Sequence, residues 1–150
     1  MNEVAFSPDS TTLAIASDDH TVRLWDARTG RPIATLTGHT DIVWAVAFSP
    51  DSATLATTST DGTVRLWDAR TGRPITTFTN GGEIALVAFS PDGAIVATAN
   101  AYGTARLWSA TVPSPHTQIE KICNTIGRNL TREEWSQYLL GQPYEPFCRK

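Results

Sequence analysis

A thirteen-residue run, TVRLWDARTGRPI, occurs twice in this chain without a single change, at Thr21–Ile33 and at Thr63–Ile75. A shorter copy, GTARLWSA, follows at Gly103–Ala110. Each run has the same phrase upstream: VAFSPDS from Val4 and from Val46, VAFSPDG from Val87. Trp25, Trp67 and Trp108 fall 42 and 41 residues apart, and Phe6, Phe48 and Phe89 keep those intervals. A repeat of this size is a unit that cannot bury its apolar faces alone and must stack on its neighbours. This constraint favours binding over chemistry.

Each unit reads as antiparallel strands. The VAF segment runs into a turn cluster of Ser, Pro, Asp and Ser or Gly. A short small-apolar run follows: Leu13–Ser17, Leu55–Ser59 and Val96–Asn100. A tight polar turn comes next, Asp18–His20, Thr60–Gly62 or Ala101–Gly103. The third strand alternates, with Val22 and Leu24 on one face and Arg23 and Trp25 on the other. The prolines Pro32 and Pro74 then open a fourth strand, which suits an outer edge where no ladder donor is lost. The third unit carries no matching fourth strand in its pattern.

Gly38-His39 followed by Trp67-Asp68 resembles the signature of the WD-repeat β-propeller family, over roughly residues 1–110. The resemblance implies an all-β fold of four-stranded blades, with units at about 1–37, 38–79 and 80–110 and residues 111–150 as a separate tail. It also implies a hydrogen-bonded tetrad in each blade. In unit two the tetrad positions are His39, Ser59, Asp61 and Trp67. Unit one has Ser17, Asp19 and Trp25, and the chain begins after the place of its His. Unit three keeps Trp108 but has Asn100, Tyr102 and Asn80-Gly81 at the other positions.

Ser59, His39 and Asp61 can be misread as a hydrolase triad. A nucleophilic serine needs an exposed, strained turn and an oxyanion hole, whereas Ser59 sits inside a small-apolar strand. The set is therefore expected to be structural, running from indole to hydroxyl to imidazole to carboxylate. Asp18-Asp19-His20 reads as a turn rather than a metal cluster, because adjacent turn residues rarely converge on one ion.

Composition narrows the function classes. The net charge is −3, so no basic field points to nucleic acid. No apolar run approaches the roughly 18 residues that span a membrane. No glycine-rich phosphate loop is present, and neither a cofactor nor a metal is expected. A strand pattern begins at once, without a signal peptide, and the expected compartment is the cytoplasm.

Beyond Ala110 the strand period stops. Ile119, Ile122, Cys123 and Ile126 form a helical stripe after the Ser114-Pro115 cap. A second helix is predicted from Thr131, with Glu134 completing a capping box. The two are expected to form a helical hairpin packed on the sheet edge. Cys123 and Cys148, the only cysteines, lack zinc-ligand spacing. This tail resembles the helical close of bacterial multidomain propeller proteins. That resemblance implies an alternative reading, the sensor part of a signalling NTPase or kinase whose effector module lies elsewhere.

Closed propellers have typically four to eight blades. Three units therefore require missing blades or a second copy of the chain to close a ring. The expected function is a non-catalytic protein-interaction scaffold for protein partners, not for nucleic acid or a membrane. Trp44 is the candidate contact, since unit three has Ala85 at that position. Packing between blades is the competing role for this indole.

Overall fold

The computed structural model describes residues 1–100 and 102–111. The predicted helical hairpin and both cysteines lie outside the described residues.

The described part is all-β. The first unit contributes β1 (Val4–Phe6), β2 (Thr12–Ala16), β3 (Val22–Asp26) and β4 (Pro32–Leu36). The second contributes β5 (Val43–Phe48), β6 (Thr54–Ser59), β7 (Thr63–Asp68) and β8 (Pro74–Thr79). The third contributes β9 (Leu86–Phe89), β10 (Ile95–Ala99) and β11 (Ala105–Ser109). Each unit is its own antiparallel meander, β1-β2-β3-β4, β5-β6-β7-β8 and β9-β10-β11. The first two sheets have four strands each, and the third has three among the described residues. Pro32 and Pro74 open the outer edge strands, where the missing N–H breaks no ladder.

The SPDS and SPDG segments explain why the first two strands of every unit turn back alike. Ser7, Ser49 and Ser90 donate their hydroxyls to Asp9, Asp51 and Asp92. The same hydroxyls accept the amides of Thr12, Thr54 and Ile95. The turn needs one residue at positive φ, and it is filled by Ser10 (60°), Ser52 (62°) and Gly93 (72°).

The sheets stack through two apolar clusters. Strand alternation sends Ala14, Ala16, Val22 and Leu24 of the first sheet toward Val43, Val46, Leu55 and Trp67 of the second. The opposite face of the second sheet, with Ala56, Val64 and Leu66, meets Ile84 and Val96, with Trp108 packed alongside. Phe78 and Trp108 stack at 5.1 Å with their planes 26° apart. The middle sheet is therefore covered on both faces, and Leu55, Leu66 and Trp67 are among its fully buried side chains. Polar links cross the first junction as well. Asp9 N donates to Ser52 Oγ at 3.1 Å, and Val46 N donates to Glu3 Oε2 at 2.8 Å.

Candidate functional site

The polar wiring of the middle sheet is built from two strands, β6 and β7, the turn between them and one loop. His39 stands before β5, in the loop that leaves β4, and is buried. Its Nδ1 lies 2.9 Å from Asp61 Oδ2, and its Nε2 lies 2.8 Å from Thr57 Oγ1. Trp67 donates its indole N–H to the same Thr57 oxygen at 3.0 Å. The carboxylate requires a proton on Nδ1, so Nε2 accepts from Thr57, and Thr57 accepts from Trp67.

The hydroxyl in this chain is Thr57, which corrects the placement of Ser59 there. In the β6–β7 ladder Leu55 is the partner of Trp67, and Thr57 is the next residue along β6 on the same face. Ser59 lies four residues beyond Leu55, about 13 Å at 3.3 Å per residue. Ser59 instead donates to Asp41 O at 3.0 Å and accepts the Asp61 amide at 3.1 Å, so it shapes the turn. It is fully buried, and both ring nitrogens of His39 are committed to other groups.

Burial pushes Asp61 up, but the Thr63 hydroxyl, the Thr40 amide and His39 outweigh it and hold the carboxyl at about 2. Burial also lowers the His39 pKa below 6.5, against the pull of Asp61, and Arg65 adds to the lowering. Both effects keep a neutral imidazole beside an ionised carboxylate. Gly38 allows the approach: it has φ of 147°, and a Cβ there would lie 2.7 Å from an Arg65 guanidinium nitrogen.

The outer units keep only pieces of this network. In the first, Ile15 stands at the Thr57 position, and the Trp25 indole nitrogen is buried with no partner among the described residues. Asp19 pairs with Arg23 at 2.6 Å, and the Asp19 amide is 3.4 Å from Ser17 Oγ. The Thr21 hydroxyl, helped by Ser17 and Arg23, holds Asp19 at about 2. Asp18 binds the chain's amino group and Asn2, and His20 has a φ of 68°, so this segment acts as a turn. In the third unit Trp108 donates to Thr98 at 2.9 Å, the counterpart of the Trp67–Thr57 bond. Asn100 accepts the Tyr102 and Thr104 amides there, and Tyr102 is exposed.

Trp44 stands apart from all of this. Val43 pairs with Ser59 and Ala45 with Thr58, so the register slips at Trp44. Such a bulge re-aims the side chain it carries. Trp44 is 38% exposed, and its indole N–H donates to Thr60 Oγ1 at 2.8 Å. Both apolar clusters between the sheets leave it out. It lies at the start of β5, the strand that packs beside β1 and β9.

These three sheets are the blades of a repeat protein. The chain matches the family model of the WD domain, G-beta repeat, over residues 1–26, 30–68 and 72–109, and it belongs to that family. Repeats of this family generally mediate protein–protein interaction and are typically non-catalytic.

Proposed function

We propose that this chain is a non-catalytic scaffold that binds a protein partner at the rim of the middle blade where β5 begins, with Trp44 as the central contact. The observation that carries this reading is the bulge that lifts the Trp44 indole out of the sheet. Its N–H is tethered to Thr60, so the ring is held in place before a partner arrives. A rigid aromatic with an apolar face and a polar tip is the side chain that most often dominates protein interfaces. The net charge of −3 favours a protein over nucleic acid as partner. The platform works as part of a completed ring, with the further blades supplied by more chain or by a second copy.

Replacing Trp44 with a photo-crosslinking phenylalanine derivative tests the reading. Light-dependent capture of one protein, abolished by competition with the unmodified chain but not with Trp44→Ala, is the expected result. The proposal fails if the Trp44→Ala chain competes as well as the unmodified one.

A further inference from the structure

Among the described residues asparagine stands at Asn2, Asn80 and Asn100, and the fold holds two of these three side chains by hydrogen bonds. Asn2 Nδ2 donates to Asp18 Oδ1 and to Val43 O, each at 2.9 Å. Asn100 Oδ1 accepts the Tyr102 amide at 3.1 Å and the Thr104 amide at 3.0 Å. Asn80 is different. Its main-chain amide is tied to Gly62 O at 2.8 Å, but its Oδ1 is buried with no partner among the described residues. A buried acceptor without a partner is a penalty and not an anchor, so this oxygen does not hold the carboxamide in its rotamer.

Asn80 is also the one of the three that precedes a glycine, whereas Glu3 follows Asn2 and Ala101 follows Asn100. Gly81 has φ of 74°, and a Cβ on Gly81 or on Gly82 would meet no atom within 4 Å. Both glycines are exposed. The main chain after Asn80 therefore has the conformational freedom of glycine and room to move.

We propose that Asn80 is a self-modification site, where the Gly81 nitrogen attacks the Asn80 carboxamide and the side chain ends as a carboxylate. The bond from Gly81 N to Asn80 Cγ forms, the bond from Cγ to Nδ2 breaks, and the Gly81 amide proton leaves with the ammonia. The product is a five-membered succinimide, favoured because both reacting groups belong to neighbouring residues. Water then opens the ring. Cleavage at Cγ gives aspartate in the ordinary main chain, and cleavage at the main-chain carbonyl gives isoaspartate, with the chain running through Cγ. No oxidant, reductant or other protein takes part, so the reaction stands apart from the scaffold reading.

Its place in the fold gives the reaction a consequence. A Cβ on Gly62 would lie 3.3 Å from Gly82 N, so the Asn80–Gly82 segment rests on the turn between β6 and β7. Thr60, the acceptor of the Trp44 indole N–H, lies in that turn. Conversion adds one negative charge to a chain of net charge −3 beside this turn.

The test is tandem mass spectrometry of the full chain after incubation in native buffer, with peptide fragments placing the change. Asn80 is expected to convert to a mixture of aspartate and isoaspartate, with an equal amount of ammonia released and a rate that rises with pH. Asn2 and Asn100 stay intact over the same period. The rate at Asn80 in the folded chain keeps within about tenfold of that in the urea-unfolded chain, a barrier difference of about 1.4 kcal/mol. Gly81→Ala is expected to slow conversion to the level of Asn2 and Asn100. Alanine is strained at this φ, so circular dichroism checks the fold, and Asn80→Gln serves as a second variant in which residue 80 stays an amide. An Asn80 that the fold protects more than tenfold relative to urea overturns the proposal. So does conversion of Asn2 or Asn100 at the rate of Asn80, or a folded Gly81→Ala chain that converts as fast as the unmodified one.

Discussion

Trp67 donates its indole N–H to Thr57 Oγ1 across 3.0 Å, whereas the Trp25 indole nitrogen is buried with no acceptor among the described residues. The two tryptophans lie in identical thirteen-residue runs. What separates them is one residue on the neighbouring strand, Thr57 against Ile15, and the blade that covers Trp67.

Thr57→Val removes the hydroxyl that serves both Trp67 and His39. It is expected to destabilise the fold by about 1–3 kcal/mol, the cost of stranding buried polar groups. Ser59→Ala is expected to cost about 1 kcal/mol, the worth of an ordinary hydrogen bond. Urea denaturation of a double-mutant cycle with Trp67→Phe distinguishes the roles. Thr57→Val couples to Trp67→Phe and Ser59→Ala does not.

Ile15→Thr supplies the missing acceptor to Trp25. The half-buried site loses some apolar burial, but the orphaned indole N–H gains a partner. The expected net result is a gain of about 0.5–1 kcal/mol, read as a higher urea midpoint at unchanged slope. A loss of stability would show that the Trp25 nitrogen does not reach this position.

Gly30 and Gly72 offer a comparison in which sequence is held constant. Both have positive φ, 67° and 72°, inside the same ARTGRP segment. A Cβ on Gly72 would lie 2.8 Å from Leu36 and 2.9 Å from Ala34 of the first blade, whereas one on Gly30 meets nothing within 4 Å. Gly30→Ala is expected to cost about 1 kcal/mol of backbone strain. Gly72→Ala adds an overpacking cost of about 1–3 kcal/mol. Equal melting temperatures for the two variants would contradict the packing of the first blade against the second.

The pH dependence of stability follows from His39 and Asp61. The folded pKa of His39 lies below 6.5, so between the two values the unfolded chain binds more protons, and stability falls as the pH drops below about 6.5. Asp61 is held at about 2 against 3.8, so its contribution is present above 3.8 and lost as pH falls toward 2. Denaturation midpoints between pH 8 and pH 2.5 are expected to decline in these two stages. The upper stage is absent in a His39→Gln variant.

The repeat made the blades legible. Period-two alternation around Trp25 and Trp67, the SPDS turns and the edge prolines specify local structure through short-range geometry alone. The tetrad was legible in three of its four members, His39, Asp61 and Trp67. Choosing between Thr57 and Ser59 depends on how far an indole reaches along the neighbouring strand. The signal was available, since Thr57 and Thr98 each stand two residues from the ladder partner of their tryptophan, whereas the Ser59 position stands four away and is Asn100 in the third unit. The exposure of Trp44 was not legible, because it comes from a bulge that is set by the pairing of Val43 and Ala45 with β6.

The central claim is that Asp61, His39, Thr57 and Trp67 of the middle blade form one hydrogen-bonded chain around a neutral imidazole. Nitrogen-detected NMR of ring-labelled His39 tests it most directly. The account predicts a neutral imidazole protonated on Nδ1, with Nε2 accepting a hydrogen bond, and a titration midpoint below 6.5. An imidazole that carries its proton on Nε2, or one that titrates at or above 6.5, would contradict it.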